Sequence, residues 1–184
     1  LLAYSSINNI GFILIGLAAG TEQGVSAMLV YLAIYVAMTL GSFIVLMQLK
    51  GHDGEYRETF ADVAGLSKTR PALAAVFAIF MFSLAGIPPL FGFWGKLVVF
   101  NAAVAANLLP LAVIGIAASV IGAFYYLKVV KVMYFDEASD IIARSDDRTL
   151  AWTGGALAGA VSPLGYLAIP VLAALSAQAA KALF

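Results

Sequence analysis

The sequence predicts an all-α fold, a polytopic transmembrane helical bundle, and three observations lead to it. Of the 184 residues, 63% are hydrophobic and only 11% are charged, with a mean hydropathy of +1.00. Soluble domains carry about a quarter charged residues. The apolar residues form runs long enough to cross a membrane as helices. These runs lack the period-2 alternation of a membrane barrel strand.

Five apolar segments separated by polar breaks are predicted within a single membrane domain, 1–184. The first two flank the polar turn at 21–24, and a charged loop follows the second. The fifth is weakened by glycines and prolines, so we expect an interfacial helix to follow it. The predicted spans are 1–20, 25–49, 71–106, 108–135 and 150–169, and the interfacial helix is 170–184.

The third segment is too long for one straight span. At 1.5 Å per residue, about 20 residues cross the hydrocarbon core, whereas this segment holds roughly 36. It begins at Pro71, a residue suited to a first helical turn. Gly86, Pro88 and Pro89 divide it, which predicts a helix broken at 86–90. Freed carbonyl groups need partners, so the break is expected to face the protein interior.

The fourth segment carries small residues at helical spacing. Gly115, Ser119 and Gly122 recur at i, i+4 and i+7, a pattern typical of close helix contact.

Lys and Arg counts predict the orientation. The loops at 50–70 and 128–148 and their margins lie on one side of the predicted bundle, and the other side has only Lys181. The eight basic residues on the loop side are Lys50, Arg57, Lys68, Arg70, Lys128, Lys131, Arg144 and Arg148. This excess predicts that both loops face the cytoplasm or its topological equivalent. The net charge of zero gives no reason to expect a nucleic-acid partner.

Composition excludes several kinds of chemistry. Without Cys, the chain has no disulfide framework, no thiolate-bound iron–sulfur cluster and no thiol nucleophile. Its single His, His52, lies in a charged loop and cannot form a haem or zinc site alone. We therefore expect no metal, cofactor or redox centre in these residues.

Lys96 is the strongest candidate for function. It is the only charged residue between Pro71 and Leu127, and it follows the proline pair by seven residues. A Lys at the centre of a membrane helix costs about 2.5–3.5 kcal/mol on insertion scales. One interpretation is a proton relay, because burial favours the neutral amine. The other is a lysine that extends to the membrane surface.

Other polar residues allow two interpretations. Ser5, Asn8 and Asn9 are candidates for a hydrated path, although interhelical hydrogen bonds explain them equally well. Tyr31 belongs to a helical stripe typical of packing. Tyr126 lies toward a helix end, where an aromatic belt is the simpler explanation.

The start of the chain suggests a longer protein. It begins at Leu1 and enters an apolar run without a charged leader region. This pattern disfavours a signal peptide and predicts the C-terminal piece of a larger subunit.

Several sequence runs resemble one protein family. LLAYSSI at 1–7 and SLAGIPPLFGFWGK at 83–96 resemble the antiporter-like membrane subunits of proton-pumping NADH:quinone oxidoreductase, respiratory complex I. YLAIYVAMTLGSF at 31–43 and the run at 123–134 are most similar to the subunit N branch, called chain 2 in mitochondria. The resemblance covers nearly the whole chain and would correspond to the last five of fourteen helices.

The resemblance implies a function. Lys96 would be the ionisable group on the broken twelfth helix, in a line of buried charges that moves protons. NADH, flavin, iron–sulfur clusters and quinone would be bound by other subunits. Partners would be other membrane subunits, especially a neighbouring antiporter-like subunit, together with lipid. The location would be the bacterial plasma membrane or the mitochondrial inner membrane.

Two alternatives remain open at this point. A subunit of a multisubunit cation/proton antiporter would share the broken helix and the Lys. A purely structural membrane subunit would not need Lys96 for pumping.

The distribution of carboxylates predicts where a partner for Lys96 lies. All ten fall in loops or their margins, and nine lie on the predicted cytoplasmic side. A fixed charge on Lys96 would therefore need an acid from outside this chain. The ten are Glu22, Asp53, Glu55, Glu58, Asp62, Asp136, Glu137, Asp140, Asp146 and Asp147.

Overall fold

The computed structural model describes residues 1–138, 143 and 147–184 as a helical bundle. The predicted residues Asp140, Arg144 and Asp146 lie outside this part. The helices are α1 Leu2–Ala18, α2 Glu22–Leu46, α3 Leu66–Thr69, α4 Pro71–Ala85, α5 Phe91–Ala105, α6 Leu109–Phe135, α7 Arg148–Val161 and α8 Ile169–Lys181, with a 3-10 helix at Pro163–Ala168 between the last two.

The central element is α2, which packs against α1, α4, α5, α7 and α8. It begins where Thr21 accepts a hydrogen bond from the backbone N–H of Gly24, a side-chain cap of the first turn. Close packing on α4 depends on Gly41, because a Cβ there would contact the ring of Phe80. The predicted all-α transmembrane bundle is therefore assembled around its second helix.

The break in the third segment coincides with its predicted position. Helix α4 ends at Ala85 and α5 begins at Phe91. Gly86 has φ of 81°, the left-handed conformation that commonly ends a helix. The N–H of Ile87 donates to Phe82 O at 3.1 Å, which completes the terminal turn. The third segment therefore passes through the bundle once, as two half-helices.

Both long loops lie at the same end of the bundle. The backbone N–H of Gly65 donates to Val132 O at 3.1 Å, which joins the first loop to α6. Ala143 N–H donates to Lys50 O at 2.8 Å, which joins the second loop to the end of α2. Arg70 also donates to Gln48 O at 2.8 Å. These contacts agree with the prediction that both loops lie on one side of the bundle.

The last segment differs from its prediction. In place of one span at 150–169 and an interfacial helix at 170–184, α7 ends at Val161 and α8 begins at Ile169. The reason is Pro163, which lacks an N–H and cannot continue α7. Both α7 and α8 pack against α2.

Three helical stretches in the described residues are long and apolar enough to cross a membrane: Glu22–Leu46, Leu109–Phe135 and Pro163–Lys181. The half-helices α4 and α5 are apolar but individually shorter.

Candidate functional site

Lys96 lies in the interior with only 5% of its surface exposed. Its Nζ donates to Leu84 O at 2.9 Å, to Ala85 O at 3.4 Å and to Ser119 Oγ at 2.9 Å. It also lies 4.9 Å from the centre of the Phe12 ring, a cation–π contact. An ammonium group has three N–H donors, so the three oxygens match its hydrogen-bonding capacity.

The helix break supplies two of these acceptors. Because α4 stops at Ala85, the last carbonyl groups of the helix have no partner within it. The Lys96 side chain reaches back from α5 to the Leu84 and Ala85 carbonyls, the negative end of the α4 dipole. The charged nitrogen is therefore at the level of the break, whereas its backbone lies on the far side of it.

Gly86 and the two prolines have different positions in the break. A Cβ built on Gly86 would lie 3.1 Å from Lys96 Cδ and 3.3 Å from Nζ, so this glycine packs directly on the lysine. Pro88 and Pro89, joined by a cis peptide bond, are exposed. The expectation that the whole break faces inward is wrong for the prolines. Having no N–H, they leave no unpaired backbone donor at the surface.

The half-helices contact each other through Ser83, whose Oγ accepts from Gly92 N–H at 3.0 Å. A Cβ on Gly92 would contact the Ser83 carbonyl oxygen. This close approach fixes the position of α5 relative to α4. It therefore also fixes which carbonyl groups the Lys96 side chain can contact.

A second polar site, the hydroxyl cluster, consists of Ser5, Asn9, Tyr31 and Tyr126. Tyr31 donates to Asn9 Oδ1 at 2.6 Å, and Asn9 Nδ2 lies 3.1 Å from Ser5 Oγ and 3.2 Å from Tyr126 Oη. Ser5 Oγ and Tyr126 Oη are 2.5 Å apart. All four side chains are buried. They join α1, α2 and α6 by hydrogen bonds.

Asn8 lies outside this cluster. It is half-buried and lines a cavity of about 280 Å³ together with Ser5 and Tyr126. Its amide nitrogen is 3.0 Å from the position that a Cβ would take on Gly122. The three residues predicted for a hydrated path are therefore adjacent: two are in the cluster and Asn8 is in the cavity next to it.

Sequence reasoning missed four members of these two sites. The sequence pattern indicates only a small-residue stripe for Ser119, packing for Tyr31 and an aromatic belt for Tyr126, and Phe12 has no polar group to mark it. Ser119 and Tyr126 are seven residues apart on α6, so both fall on one face. That shared spacing is the signal that pairs them.

No carboxylate among the described residues pairs with Lys96, whose acceptors are all neutral. The ion pairs Arg57–Asp53 and Lys131–Asp136, each 2.5 Å, lie at the loop end.

The first loop has its own local hydrogen bonds. The backbone N–H of Glu55, helped by Arg57, holds the pKa of Asp53 below its ordinary value. The Thr59 hydroxyl does the same for the pKa of Asp62. These carboxylates shape the loop and are distant in sequence from the lysine site. Within the part of the chain that the structure describes, no group of three or more His, Cys, Asp or Glu side chains could hold a metal ion.

Comparison with known proteins decides the family. A family model described as NADH:quinone oxidoreductase/Mrp antiporter, transmembrane, matches residues 1–122, which include Lys96 and Ser119. The chain belongs to this family. It is accordingly a membrane protein, and the resemblance found in its sequence is confirmed.

Relatives and solved structures agree with this assignment. NADH-quinone oxidoreductase subunit N of Rhizorhabdus wittichii is 61% identical over all of this chain, which spans 38% of that relative. A chain of respiratory complex I from Thermus thermophilus is 30% identical, with a TM-score of 0.77, and the match covers 94% of this chain and 39% of that one. A chain of the Mrp complex from a Dietzia species has a TM-score of 0.83 at 24% identity, covering 97% and 41%, and shares the fold.

Proposed function

We propose that this chain is part of a proton-translocating membrane subunit of NADH:quinone oxidoreductase, in which Lys96 takes up and releases a proton. The observation that carries the proposal is a buried amine held only by neutral oxygens at a helix break. The identity of 61% over the full chain to a relative named subunit N supports the choice of complex.

The geometry suits both charge states of Lys96. As an ammonium, it donates one N–H to each of the Leu84, Ala85 and Ser119 oxygens. As a neutral amine, it has two N–H groups and one lone pair. The carbonyl oxygens can only accept, but the Ser119 hydroxyl can turn and donate to the lone pair. After proton loss, each group of the amine therefore still has a hydrogen-bond partner in the site.

The proton movement would be driven from elsewhere in the complex. NADH, flavin, iron–sulfur clusters and quinone would be bound by other subunits, and quinone reduction would supply the energy. Other membrane subunits would surround this chain along with lipid. A neighbouring antiporter-like subunit is the proposed source of a carboxylate that fixes Lys96 in its charged form, since the described residues provide none near it.

The excess of Lys and Arg supports an orientation with the loops 50–70 and 128–148 on the cytoplasmic or matrix side. The membrane would be the bacterial plasma membrane or the mitochondrial inner membrane.

Two other functions are less well supported. A cation/proton antiporter subunit would fit the family, but the likeness to the Mrp chain, at 24% identity, concerns the fold alone. A purely structural subunit gives no reason for a buried amine that has no charged partner among the described residues, a costly arrangement.

Replacement of Lys96 in the full complex tests the proposal. We expect Lys96→Ala to lower proton pumping by roughly tenfold or more, because a proton-transfer group is lost. Lys96→Arg should restore only part of it, because a guanidinium does not release its proton. Lys181→Ala, which removes an exposed charge at the end of α8, is the matched control. Undiminished pumping by an assembled Lys96→Ala complex would refute the relay.

A further inference from the structure

The last segment of the chain bends where it meets the start of α5. The bend is the 3-10 helix Pro163–Ala168 between α7 and α8. Within this described stretch, Gly165 is buried and Tyr166 is half-buried, whereas the other four residues are exposed. Both Gly165 and Tyr166 contact Phe91, the first residue of α5. The bend of the fifth segment therefore packs on the residue that directly follows the break of the third.

This contact is close, and it involves three aromatic rings. A Cβ on Gly165 would lie 2.6 Å from Phe91 Cδ1 and 2.2 Å from Ala160 O, so a side chain here would push the bend away from α5. The centres of the Phe91 and Tyr166 rings are 5.8 Å apart, and the Trp94 ring stacks on Phe91 at 5.5 Å. Aromatic rings at these separations attract each other in addition to the effect of their burial. Phe91, which is 6% exposed, is thus held both by the bend and by its own helix.

The first turn of α5 has few other constraints on its position. Leu90, the N-cap residue, makes no side-chain hydrogen bond to this turn. The proline pair in the preceding link is exposed. One hydrogen bond, from Gly92 N–H to Ser83 Oγ, joins the turn to α4. The packing of the bend on Phe91 therefore provides a second constraint on where α5 begins, from a different part of the chain.

Lys96 is sensitive to the position of α5, because one of its hydrogen bonds is already long. Its Nζ donates to Leu84 O at 2.9 Å and to Ala85 O at 3.4 Å. Hydrogen bonds from N–H to oxygen are usually about 2.7–3.2 Å, so a shift of α5 by about 1 Å away from α4 would break the second bond and weaken the first. Phe91 and Lys96 belong to the same half-helix, so a shift of its first turn displaces both.

We propose that Phe91 and Tyr166 are positioning residues for Lys96. The bend holds the start of α5 close to α4, so that the lysine side chain reaches the carbonyl groups at the end of α4. The proposal rests on the proposed proton-transfer function of Lys96, because the two rings act on pumping through that group. It gives the last segment a part in pumping, although no hydrogen bond joins Lys96 to the described residues 147–184.

Removal of either ring tests this proposal in the full complex reconstituted in vesicles. We expect Phe91→Ala and Tyr166→Ala each to lower proton pumping per assembled complex by roughly three- to tenfold, because a displacement of about 1 Å is costly for a reacting group. Tyr166→Phe keeps the ring and should restore most of the pumping, since the hydroxyl makes no hydrogen bond to a described residue. Trp152→Ala removes an exposed ring from α7; it is the matched control and should pump normally.

A map of the Tyr166→Ala complex separates positioning from a general loss of stability. It should show Lys96 Nζ farther than about 3.5 Å from Ala85 O, beyond hydrogen-bond distance. The double variant Phe91→Ala/Tyr166→Ala should pump little worse than either single variant, because the two rings form one contact. Unchanged hydrogen bonds of Lys96 in the Tyr166→Ala map, or a defect in Tyr166→Phe as large as in Tyr166→Ala, would overturn the positioning role.

The outcomes for the rings and for Lys96 are distinguishable. Normal pumping in Phe91→Ala and Tyr166→Ala, beside a defect in Lys96→Ala, would overturn the positioning role but leave the relay intact. Normal pumping in Lys96→Ala would overturn both. A map of the wild-type complex does not depend on the assembly of any variant. It should show the Phe91 ring within about 4 Å of Gly165 and Tyr166, and a gap between the bend and α5 would overturn the proposal.

Discussion

At the scale of single residues, the site of Lys96 combines burial with neutral acceptors. A buried ammonium without a carboxylate is costly, but three oxygens and the face of Phe12 offset part of that cost. Ser119 differs from the two carbonyl oxygens because its hydroxyl can either accept or donate. Of the three oxygens, it is therefore the one that can accept from the charged amine and donate to the neutral amine.

Removal of the Ser119 hydroxyl should impair both charge states. We expect Ser119→Ala to lower proton pumping by about three- to tenfold, since one hydrogen bond to the amine is lost in each state. Ser119→Thr keeps the hydroxyl and should retain more activity. Ser6→Ala is the control, because among the described residues the Ser6 hydroxyl bonds only to Leu2 O in its own helix, at 3.3 Å. Pumping rates in vesicles measure the effect, and equal rates for Ser119→Ala and Ser6→Ala would contradict it.

At the scale of elements, the break between α4 and α5 and the buried lysine are structurally coupled. The break frees the Leu84 and Ala85 carbonyls, and Lys96 occupies them from the start of the next half-helix. Ser83 joins the two half-helices through Gly92 N–H. A shift of either half-helix would change the hydrogen bonds of the charged group, which provides a physical route for coupling helix movement to proton affinity.

Gly86 has a positive φ and also packs against the Lys96 side chain. Gly86→Ala should destabilise the subunit by about 1–2 kcal/mol, because an L-residue is strained at positive φ. Its Cβ would also displace the Lys96 side chain and reduce pumping.

Gly20→Ala separates these two effects. Gly20 also has positive φ, 61°, but a Cβ there meets nothing within 4 Å. It should show the loss of thermal stability without the loss of pumping per assembled complex. Equal pumping in the two variants would refute the contact between Gly86 and the lysine.

At the scale of the whole molecule, the bundle has two chemically different ends. The loop end holds the ion pairs and the joined loops. The opposite end holds the short α1–α2 turn, capped by Thr21.

Single cysteines test the orientation in a subunit whose other cysteines have been replaced; the 184 residues of this chain contain none. Suitable exposed positions are His52→Cys and Glu137→Cys at the loop end and Gln23→Cys at the other end. A membrane-impermeant maleimide should label the first two from the cytoplasmic side, as the excess of basic residues predicts. Gln23→Cys should be labelled only from the opposite side. Labelling of His52→Cys and Gln23→Cys from one side would contradict the orientation.

The sequence by itself determined the fold class, the broken third segment and the lysine site, because each depends on local chemistry. Long apolar runs predict membrane helices, Pro88 and Pro89 prevent a continuous helix, and an isolated charge such as Lys96 stands out in an apolar run. The last segment was predicted less well, since the weak signals of Pro163 and Pro170 did not place the break between α7 and α8.

Only the tertiary structure decided which groups meet. Ser119 reaches Lys96, and Tyr31 and Tyr126 reach Asn9, through contacts between different helices. Such contacts depend on how helices rotate and cross, which is set by close approaches such as Gly41 on Phe80. A hydroxyl on an apolar helix has the same local pattern whether it packs, bonds within its helix or holds a proton path, so its partners decide its role.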